Sequence, residues 1–327
     1  ILSGLVGSEM CIRDRALERS VGFLQWFAHP DGSFGGVYGS RRTSLVYLGG
    51  LARLAARSPL ARALLLHAAE AMTTGAGISP ATVDMGNLAP LLTSTGSATD
   101  AVSSEGDLAV LPCHRDDEPS VDFADAGLSV RATRALYLVC GTANGGTVTV
   151  YDRAHRRCLM DDGGYVARLA DGSLLTTQST GAGRTTSGAA QIEVRTAFRR
   201  MPAERPTPFR FFVLRALNLT VMRHVGIGNA VKRALVRLLM GGGAAHSMTL
   251  TRRITWSHEG VLIDDELGNP DGVLLSSLTC GVPFSAIHMA SAGYSTPAQI
   301  RRERDVAAVD VERLARERVV RMQRRVA

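Results

Sequence analysis

The spacing of apolar residues changes near Leu108, and this change limits the folds that the chain can adopt. Before that point the pattern is helical, as in residues 21–28, where Val21, Leu24 and Ala28 together with Gln25 follow an i, i+3, i+4, i+7 spacing. After it, short segments alternate with a period of two, as in residues 128–133. The sequence therefore predicts a helical region followed by a region of antiparallel strands.

The helical region contains its own start and stop signals. Pro30-Asp31-Gly32 predicts the end of a first helix. A second helix is expected to begin at Arg41 or Thr43, and Ser58-Pro59 predicts the cap and first turn of a third. Residues 93–106 are rich in Gly, Ser and Thr and are the best candidate for a linker.

Turn signals separate the expected strands. Asn144-Gly145-Gly146 and Asp171-Gly172 are hairpin signals, and the segment 161–164 (Asp-Asp-Gly-Gly) predicts a turn. Short strands at regular spacing favour an antiparallel sandwich. Besides residues 128–133, the predicted strands are residues 135–140, 147–151, 165–169, 173–177, 192–198, 248–256 and 260–264.

One helical insert, residues 209–240, interrupts the strands and leaves two interpretations open. It is apolar with arginine at intervals. As a helix on an anionic membrane surface, it would place Arg on lipid phosphates and Phe and Leu in the interface. As helices packed on the sandwich, it would bury its apolar side and extend the Arg stems to solvent.

Residues 1–15 resemble one reading frame of a transposon-type sequencing adapter. The string Leu-Val-Gly-Ser-Glu-Met-Cys-Ile-Arg-Asp-Arg, residues 5–15, carries the resemblance. We therefore expect this segment to be adapter-derived and the native chain to be a fragment, and we leave it out of the fold prediction. The compartment, cytoplasmic or periplasmic, stays open for the same reason.

The net charge of +7 comes almost wholly from arginine, since Lys232 is the only lysine. Arginines are dense in residues 301–327, where we expect a solvated basic helix beginning near Asp310. No stacking aromatics are interleaved there, so we do not expect nucleic acid as a partner.

The cysteines outside residues 1–15 do not indicate a metal site. Cys113, Cys140, Cys158 and Cys280 lack metal-ligand spacing and contain no Cys-x-x-Cys pair. We therefore expect neither a metal nor a cofactor, and we interpret these residues as small buried hydrophobes.

The first helices carry a resemblance to a known superfamily. Phe23-Leu24-Gln25, then Asp31-Gly32-Ser33-Phe34-Gly35-Gly36, then residues 43–54 resemble one repeat of the α/α-toroid proteins. In those proteins a Gln and an Asp-Gly-Ser-aromatic-Gly loop join successive helices. The resemblance implies that residues 16–106 form part of such a toroid.

A second motif indicates which α/α-toroid families the chain resembles. The segment 122–131 (Asp-Phe-Ala-Asp-Ala-Gly-Leu-Ser-Val-Arg) is similar to the first sandwich strands of heparinase II/III-like and alginate-lyase-like proteins. The implied fold class is a multidomain α+β protein with a partial α/α toroid, then an antiparallel β-sandwich over residues 107–300. The implied activity is β-elimination on an acidic, uronate-containing polysaccharide.

The glycine-rich loop after the first helix contains residues that suit this chemistry. Elimination removes the proton α to a carboxylate, which requires a Tyr or His base and a cation that neutralises the developing enolate. Tyr38 is the candidate acid or base, and Arg41 is the candidate carboxylate clamp. Arg42, beside it, is a candidate for substrate binding. The alternative is that Tyr38 packs and Arg41 caps the loop.

Four further residues are candidates for the cleft of the expected toroid. His288 and Tyr294 lie in one apolar segment and are candidate catalytic residues, while a core histidine is the structural alternative. Asp84 and Asn87 lie one helical turn apart and are candidates for substrate binding, although a cap or turn explains them equally well.

Two other functions remain open. The His-Gly-His-Ala-Asp-like box of heparinase-type sandwiches is absent. Its absence favours a non-catalytic protein of the same architecture that binds or assembles glycan. The insert at residues 209–240 favours a membrane-surface protein with a lipid-linked substrate.

Overall fold

A computed structural model of the chain shows a mixed helix and sheet protein with antiparallel sheets, one of them curled into a half-barrel. The chain divides into two compact units. The first contains residues 1–122, 129–139 and 149–160, and the second contains residues 123–128, 140–148 and 161–327. The residues that the structure describes are 15–39, 44–83, 85–103, 105–178, 183–188, 190–200, 208–220, 226, 228–230, 245–281, 304–305 and 308–326.

Short helices make up the first part of the first unit. The helix α1, residues 15–24, continues as a 3-10 turn over Gln25–Phe27 and ends ahead of Pro30, as the sequence predicts. The helices that follow are α2 (Leu48–Ala55), α3 (Pro59–Thr74), α4 (Met85–Gly96) and α5 (Thr99–Ser103).

The signals for α3 are confirmed, whereas the predicted start of α2 is wrong. Ser58 caps α3 by accepting a hydrogen bond from the Ala61 amide at 3.2 Å, and Gly75 ends the helix in a left-handed conformation with φ of 79°. By contrast, α2 begins only at Leu48, and Tyr47 before it is extended. Tyr47 does not cap α2 with its side chain; the Gly49 amide in the first turn donates instead to the hydroxyl of Ser94, 45 residues later in the chain, at 2.8 Å, so no local signal marks where α2 begins.

The predicted linker at residues 93–106 is largely helical. Its Ser and Thr hydroxyls donate to carbonyls three or four residues earlier, as Thr95 does to Leu91 at 2.9 Å. Leu91 is fully buried, which holds α4 against the unit despite Pro90 in its interior. The composition of the segment was therefore misleading, because hydroxyl side chains can satisfy backbone acceptors within a helix.

Five strands, in the order β1-β2-β3-β4-β5, form the first sheet. Asp122 and Arg131, at the two ends of the second motif, form an ion pair in which both Asp122 oxygens accept from Arg131, at 2.7 and 2.8 Å. This part of the motif therefore ties β1 to β2. The strands are β1 (Ser120–Phe123), β2 (Leu128–Ala132), β3 (Leu136–Gly141), β4 (Thr147–Asp152) and β5 (Arg157–Asp162).

The second sheet belongs to the second unit and has nine strands in the described residues. Its path is β13-β12-β6-β7-β9-β10-β11-β14, and β8 pairs with β9. The strands are β6 (Tyr165–Leu169), β7 (Leu174–Thr176), β8 (Arg184–Ser187), β9 (Gln191–Arg200), β10 (Ala245–Ser257), β11 (Gly260–Gly268), β12 (Leu275–Cys280), β13 (Arg304–Asp305) and β14 (Val319–Val326).

A group of charges lies inside the second unit beside its apolar core. Arg252 is fully buried and donates to both oxygens of Asp265, at 2.7 and 2.9 Å. Arg324 of β14 lies 2.7 Å from Asp265 and 2.7 Å from Asp162. Tyr165 donates to Asp265 at 2.6 Å. Asp162 ends β5, so the predicted turn at residues 161–164 also contains a buried carboxylate.

The predicted basic helix over residues 301–327 is wrong for its last part. The helix α7 covers Ala308–Glu317, and Arg318 then takes a φ of 70°, which ends it. The chain continues as β14, antiparallel to β11. Val320, Met322 and Arg324 alternate toward the sheet interior, so the segment follows the strand period.

The helical insert is described in part. The helix α6 covers Pro208–Leu219, with the side chains of Phe209 and Phe212 exposed by 73% and 70%. Among the described residues, no helix is both long enough and apolar enough to cross a membrane.

Candidate functional site

The loop that follows α1 forms a compact turn in the first unit and carries most of the candidate site. The His29 amide donates to the Ser33 carbonyl at 2.9 Å, and Ala28 pairs with Phe34 across the turn. Gly32 has a φ of 90°, a conformation that only glycine adopts without strain. The Asp-Gly-Ser segment therefore folds back on His29.

His29 is the centre of the site. Its imidazole is fully buried and has polar partners at both nitrogens. Nε2 lies 2.6 Å from the hydroxyl of Tyr38. Nδ1 lies 2.8 Å from Oγ of Ser33 and 2.9 Å from the hydroxyl of Tyr151. A histidine thus contacts three hydroxyl groups, two from its own loop and one from Tyr151, which is distant in the sequence.

Tyr38 is held by its ring as well as by its hydroxyl. The ring lies against Phe27, with centroids 5.5 Å apart, and meets the His29 ring edge-on. Gly36 has a φ of 148°, and a Cβ at that position would lie only 3.3 Å from the Tyr38 ring. The glycines of the loop therefore allow the backbone to approach the tyrosine closely. The side chain of Tyr38 is 4% exposed.

Tyr151 reaches the site from β4 in the same unit. Its ring stacks on the imidazole of His29 with centroids 4.3 Å apart and an angle of 18° between the planes. Because the rings are nearly parallel, the Tyr151 hydroxyl approaches Nδ1 from the face of the imidazole. Ser33 is therefore the partner better placed for the in-plane hydrogen bond.

Asp31 orients Ser33. The Ser33 hydroxyl donates to Oδ1 of Asp31 at 2.6 Å, and the Ser33 amide donates to the same oxygen at 3.0 Å. The local sequence explains this arrangement, because an Asp two residues before an amide commonly closes an Asx turn. The turn thus fixes the serine hydroxyl that faces the histidine.

Burial lowers the pKa of His29 from 6.5 to about 3, and the neighbouring His67 lowers it further in the same direction. His29 is therefore neutral at physiological pH. One of its nitrogens carries a hydrogen and the other accepts one.

Two more histidines lie beside the turn. His67 of α3 is 7% exposed, and its Nε2 lies 3.4 Å from the Ser33 carbonyl. Its ring centroid is 6.0 Å from that of His114. Burial lowers the pKa of both His67 and His114, and the His67 ring adds to the effect on His114. The imidazoles of His67 and His114 are therefore neutral near neutral pH.

The structure places two of the candidate residues from the sequence. Tyr38 lies in the His29 cluster. Asn87 lies on α4, where its Oδ1 accepts a hydrogen bond from the Tyr47 hydroxyl at 3.0 Å. The other candidates, Arg41, Arg42, Asp84, His288 and Tyr294, lie outside the described residues.

Sequence reasoning missed His29, Ser33 as a polar partner of His29, and Tyr151. The signal for His29 and Ser33 was available, since both flank the Pro-Asp-Gly turn just before Tyr38. Tyr151 had no such signal, because it is far from His29 in the sequence and the residues around it indicate only a strand.

A groove of about 590 Å³ lies between α2 and α4 in the first unit. Its lining is mostly small residues, with Arg53 as its charged member, and it contains no acid–base pair. In the described part of the chain, no group of three or more His, Cys, Asp or Glu side chains is arranged to hold a metal ion.

Comparison with known proteins adds no family assignment. No protein-family model, no curated protein and no solved structure matches this chain. The geometry around His29 is therefore the feature of the chain that points to a function.

Proposed function

We propose that the chain acts on an acidic, uronate-containing polysaccharide by β-elimination, with Tyr38 as the acid–base residue. The observation that supports this most directly is the 2.6 Å contact between the Tyr38 hydroxyl and Nε2 of a buried, neutral His29. A hydroxyl held against a nitrogen acceptor is a typical arrangement for moving a proton.

The reaction has a defined balance of bonds. The Tyr38 oxygen takes the proton from C5 of the uronate, next to its carboxylate. The electron pair of that C–H bond forms the C4–C5 double bond, and the C4–O bond to the next sugar breaks. The departing oxygen then receives a proton from Tyr38.

The developing negative charge on the substrate carboxylate needs a cation beside it. Arg41 and Arg42 follow Tyr38 closely in the chain, and a guanidinium binds a carboxylate with two parallel hydrogen bonds. We propose Arg41 as this clamp and Arg42 as a further substrate contact. The same proposal takes α1–α3 as part of an α/α toroid and the strands as part of a sandwich.

The test is cleavage of a panel of uronate polymers, followed by ultraviolet absorbance of the unsaturated product. The variant Tyr38→Phe keeps the ring that packs on Phe27 but removes the hydroxyl. We expect turnover to fall by roughly 10²–10⁴-fold, the usual contribution of a positioned proton donor or acceptor.

Tyr137→Phe is the matched control. Its side chain is also buried, and its hydroxyl donates to the Trp26 carbonyl at 2.8 Å and not to His29. This variant should lose about 1 kcal/mol of stability and keep its turnover. Full activity in Tyr38→Phe would remove Tyr38 from the mechanism, and polymer binding without cleavage by the wild type would favour a glycan-binding protein.

A second function is favoured by one observation, the exposed Phe209 and Phe212 on α6. With Val213 and Leu217 they occupy one face of the helix, and Arg215 is also exposed. Such a helix could lie on an anionic membrane. Flotation with anionic liposomes tests this, and failure of the protein to float would exclude it.

A further inference from the structure

The hydroxyl of Ser33 has one hydrogen, and the structure shows where that hydrogen is used. Ser33 donates it to the carboxylate of Asp31 at 2.6 Å. An ionised carboxylate only accepts hydrogen bonds, so the direction of this contact is fixed. Toward His29, the Ser33 oxygen is therefore left as an acceptor.

This direction selects the tautomer of His29. Nδ1 lies 2.8 Å from the Ser33 oxygen and must supply the hydrogen of that bond, because the Tyr151 hydroxyl, 2.9 Å away, approaches the face of the stacked ring and not the in-plane lone pair of Nδ1. Because a neutral imidazole has a single N–H, Nε2 is then bare and accepts the hydroxyl hydrogen of Tyr38. Asp31 thus sets, through two intervening groups, the direction of the hydrogen bond made by Tyr38.

The burial of His29 adds a second constraint. A proton that arrived at Nε2 and stayed would create an imidazolium in a site with no exposed surface, which burial strongly disfavours. The Nδ1 proton would have to leave at the same time. Ser33 and Asp31 provide the acceptors for it, at hydrogen-bond distance at each step.

We propose that Tyr38, His29, Ser33 and Asp31 form a proton relay in which Asp31 is the terminal acceptor, so that His29 passes a proton without becoming charged. The relay deepens the proposed elimination and rests on it for its catalytic meaning. Ser33 and Asp31 are positioning and relay residues, because they act on the substrate only through His29 and Tyr38.

The protons balance in each direction. When the Tyr38 oxygen takes the proton from the substrate, its own hydroxyl proton moves to Nε2 of His29. The Nδ1 proton of His29 moves to Ser33, and the Ser33 proton moves to Asp31. The reverse shift restores each group and leaves Tyr38 able to give one proton to the departing sugar oxygen.

The first test needs no substrate. Two-bond ¹H–¹⁵N spectra of the full chain, labelled with ¹⁵N in its eight histidines, report the tautomer of each ring. The His29 signals are assigned by their loss in His29→Gln. We expect His29 to carry its hydrogen on Nδ1, and a hydrogen on Nε2 in the wild type would overturn the relay.

Two variants should act in a predictable way on that spectrum. Asp31→Ala frees the Ser33 hydroxyl to donate to Nδ1, so His29 should switch to the Nε2–H form. Ser33→Ala removes the acceptor and should give a mixture of the two forms, while Ser33→Thr, which keeps the hydroxyl, should restore the wild-type signal. An unchanged tautomer in both alanine variants would refute the assigned roles.

Kinetics give the second test where cleavage of a polymer is detected. Ser33→Ala should lower kcat by roughly 10²-fold or more with little change in KM, since the serine does not touch the substrate. Ser33→Thr should recover most of the rate. If the tautomer responds as expected but no polymer is cleaved, the hydrogen-bond chain stands and the elimination fails.

Discussion

At the scale of single residues, His29 is both fully buried and central to the proposed function. Its ring is fully buried and neutral, and hydroxyls from Tyr38 and Ser33 meet its two nitrogens. Because the folded chain keeps His29 neutral, the free energy of unfolding should depend on pH. This dependence can be measured whether or not the substrate is known.

The direction follows from linkage. The pKa of His29 is about 3 in the folded chain against 6.5 for an ordinary histidine, so between these values only the unfolded chain binds the proton. The free energy of unfolding should therefore fall as pH decreases from 6.5 toward 3, by about 1.4 kcal/mol per pH unit from this residue. Urea unfolding at a series of pH values measures the slope.

His29→Gln is the matched variant for this measurement. It should be less stable at neutral pH because it loses polar contacts, but its stability should change less with pH. A residual slope is expected from His67 and His114, whose pKa values are also lowered. An equally steep slope in His29→Gln would contradict the buried neutral histidine.

Prediction from sequence was good for elements with local signals. The cap at Ser58 and the hairpin at Asn144-Gly145-Gly146 lie where the sequence placed them, because one or two side chains or glycines determine each. Tyr38 was a candidate from the chemistry of its loop and contacts His29 in the structure, while its catalytic role stays a prediction. Tyr151 could not be found, since only the tertiary fold brings β4 to His29.

Errors occurred where a tertiary partner overrides the local pattern. Residues 319–326 carry many arginines, which suit a helix, yet pairing with β11 makes them a strand. Arg324 faces Asp162 and Asp265 from this strand. The partners of β14 therefore include carboxylates that are distant in the sequence. A prediction from the local pattern of residues does not take them into account.

At the scale of elements, β14 offers a direct comparison between a buried and an exposed ion pair. Arg324→Gln leaves Asp162 and Asp265 with Arg252 as the remaining guanidinium among the groups described here. We expect a loss of roughly 3–5 kcal/mol in the free energy of unfolding, the usual cost of removing one partner of a buried pair. Urea unfolding at neutral pH is the measurement.

The control lies on the same strand. Arg321 pairs with Glu266 at 2.8 Å, but its side chain is 79% exposed, so Arg321→Gln should cost less than about 1 kcal/mol. Similar losses in the two variants would show that the strand responds to any change in charge and that burial of Arg324 is not the cause.

At the scale of the whole molecule, the surplus of positive charge has consequences for the proposed substrate. A chain with a net charge of +7 attracts a polyanion over distances beyond direct contact. That attraction is screened by salt, with a Debye length of about 10 Å at 0.1 M. Under the proposed function, the charge would contribute to capture of the polymer and not to recognition of its sugars.

Binding to a polyuronate should consequently weaken steeply as salt rises, as measured by retention on the immobilised polymer. An uncharged polysaccharide of similar length serves as the control and should be retained poorly at every salt concentration. Equal retention of both polymers, or retention of the polyuronate that is independent of salt, would rule out electrostatic capture.

The position of Arg324 also matters for synthesis of the protein. While a ribosome is still translating α7, the second unit already contains Asp162, Arg252 and Asp265 but lacks the guanidinium that β14 supplies. The nascent unit would then hold two carboxylates opposite one guanidinium within this group. We therefore expect its final consolidation to await the emergence of β14 from the exit tunnel.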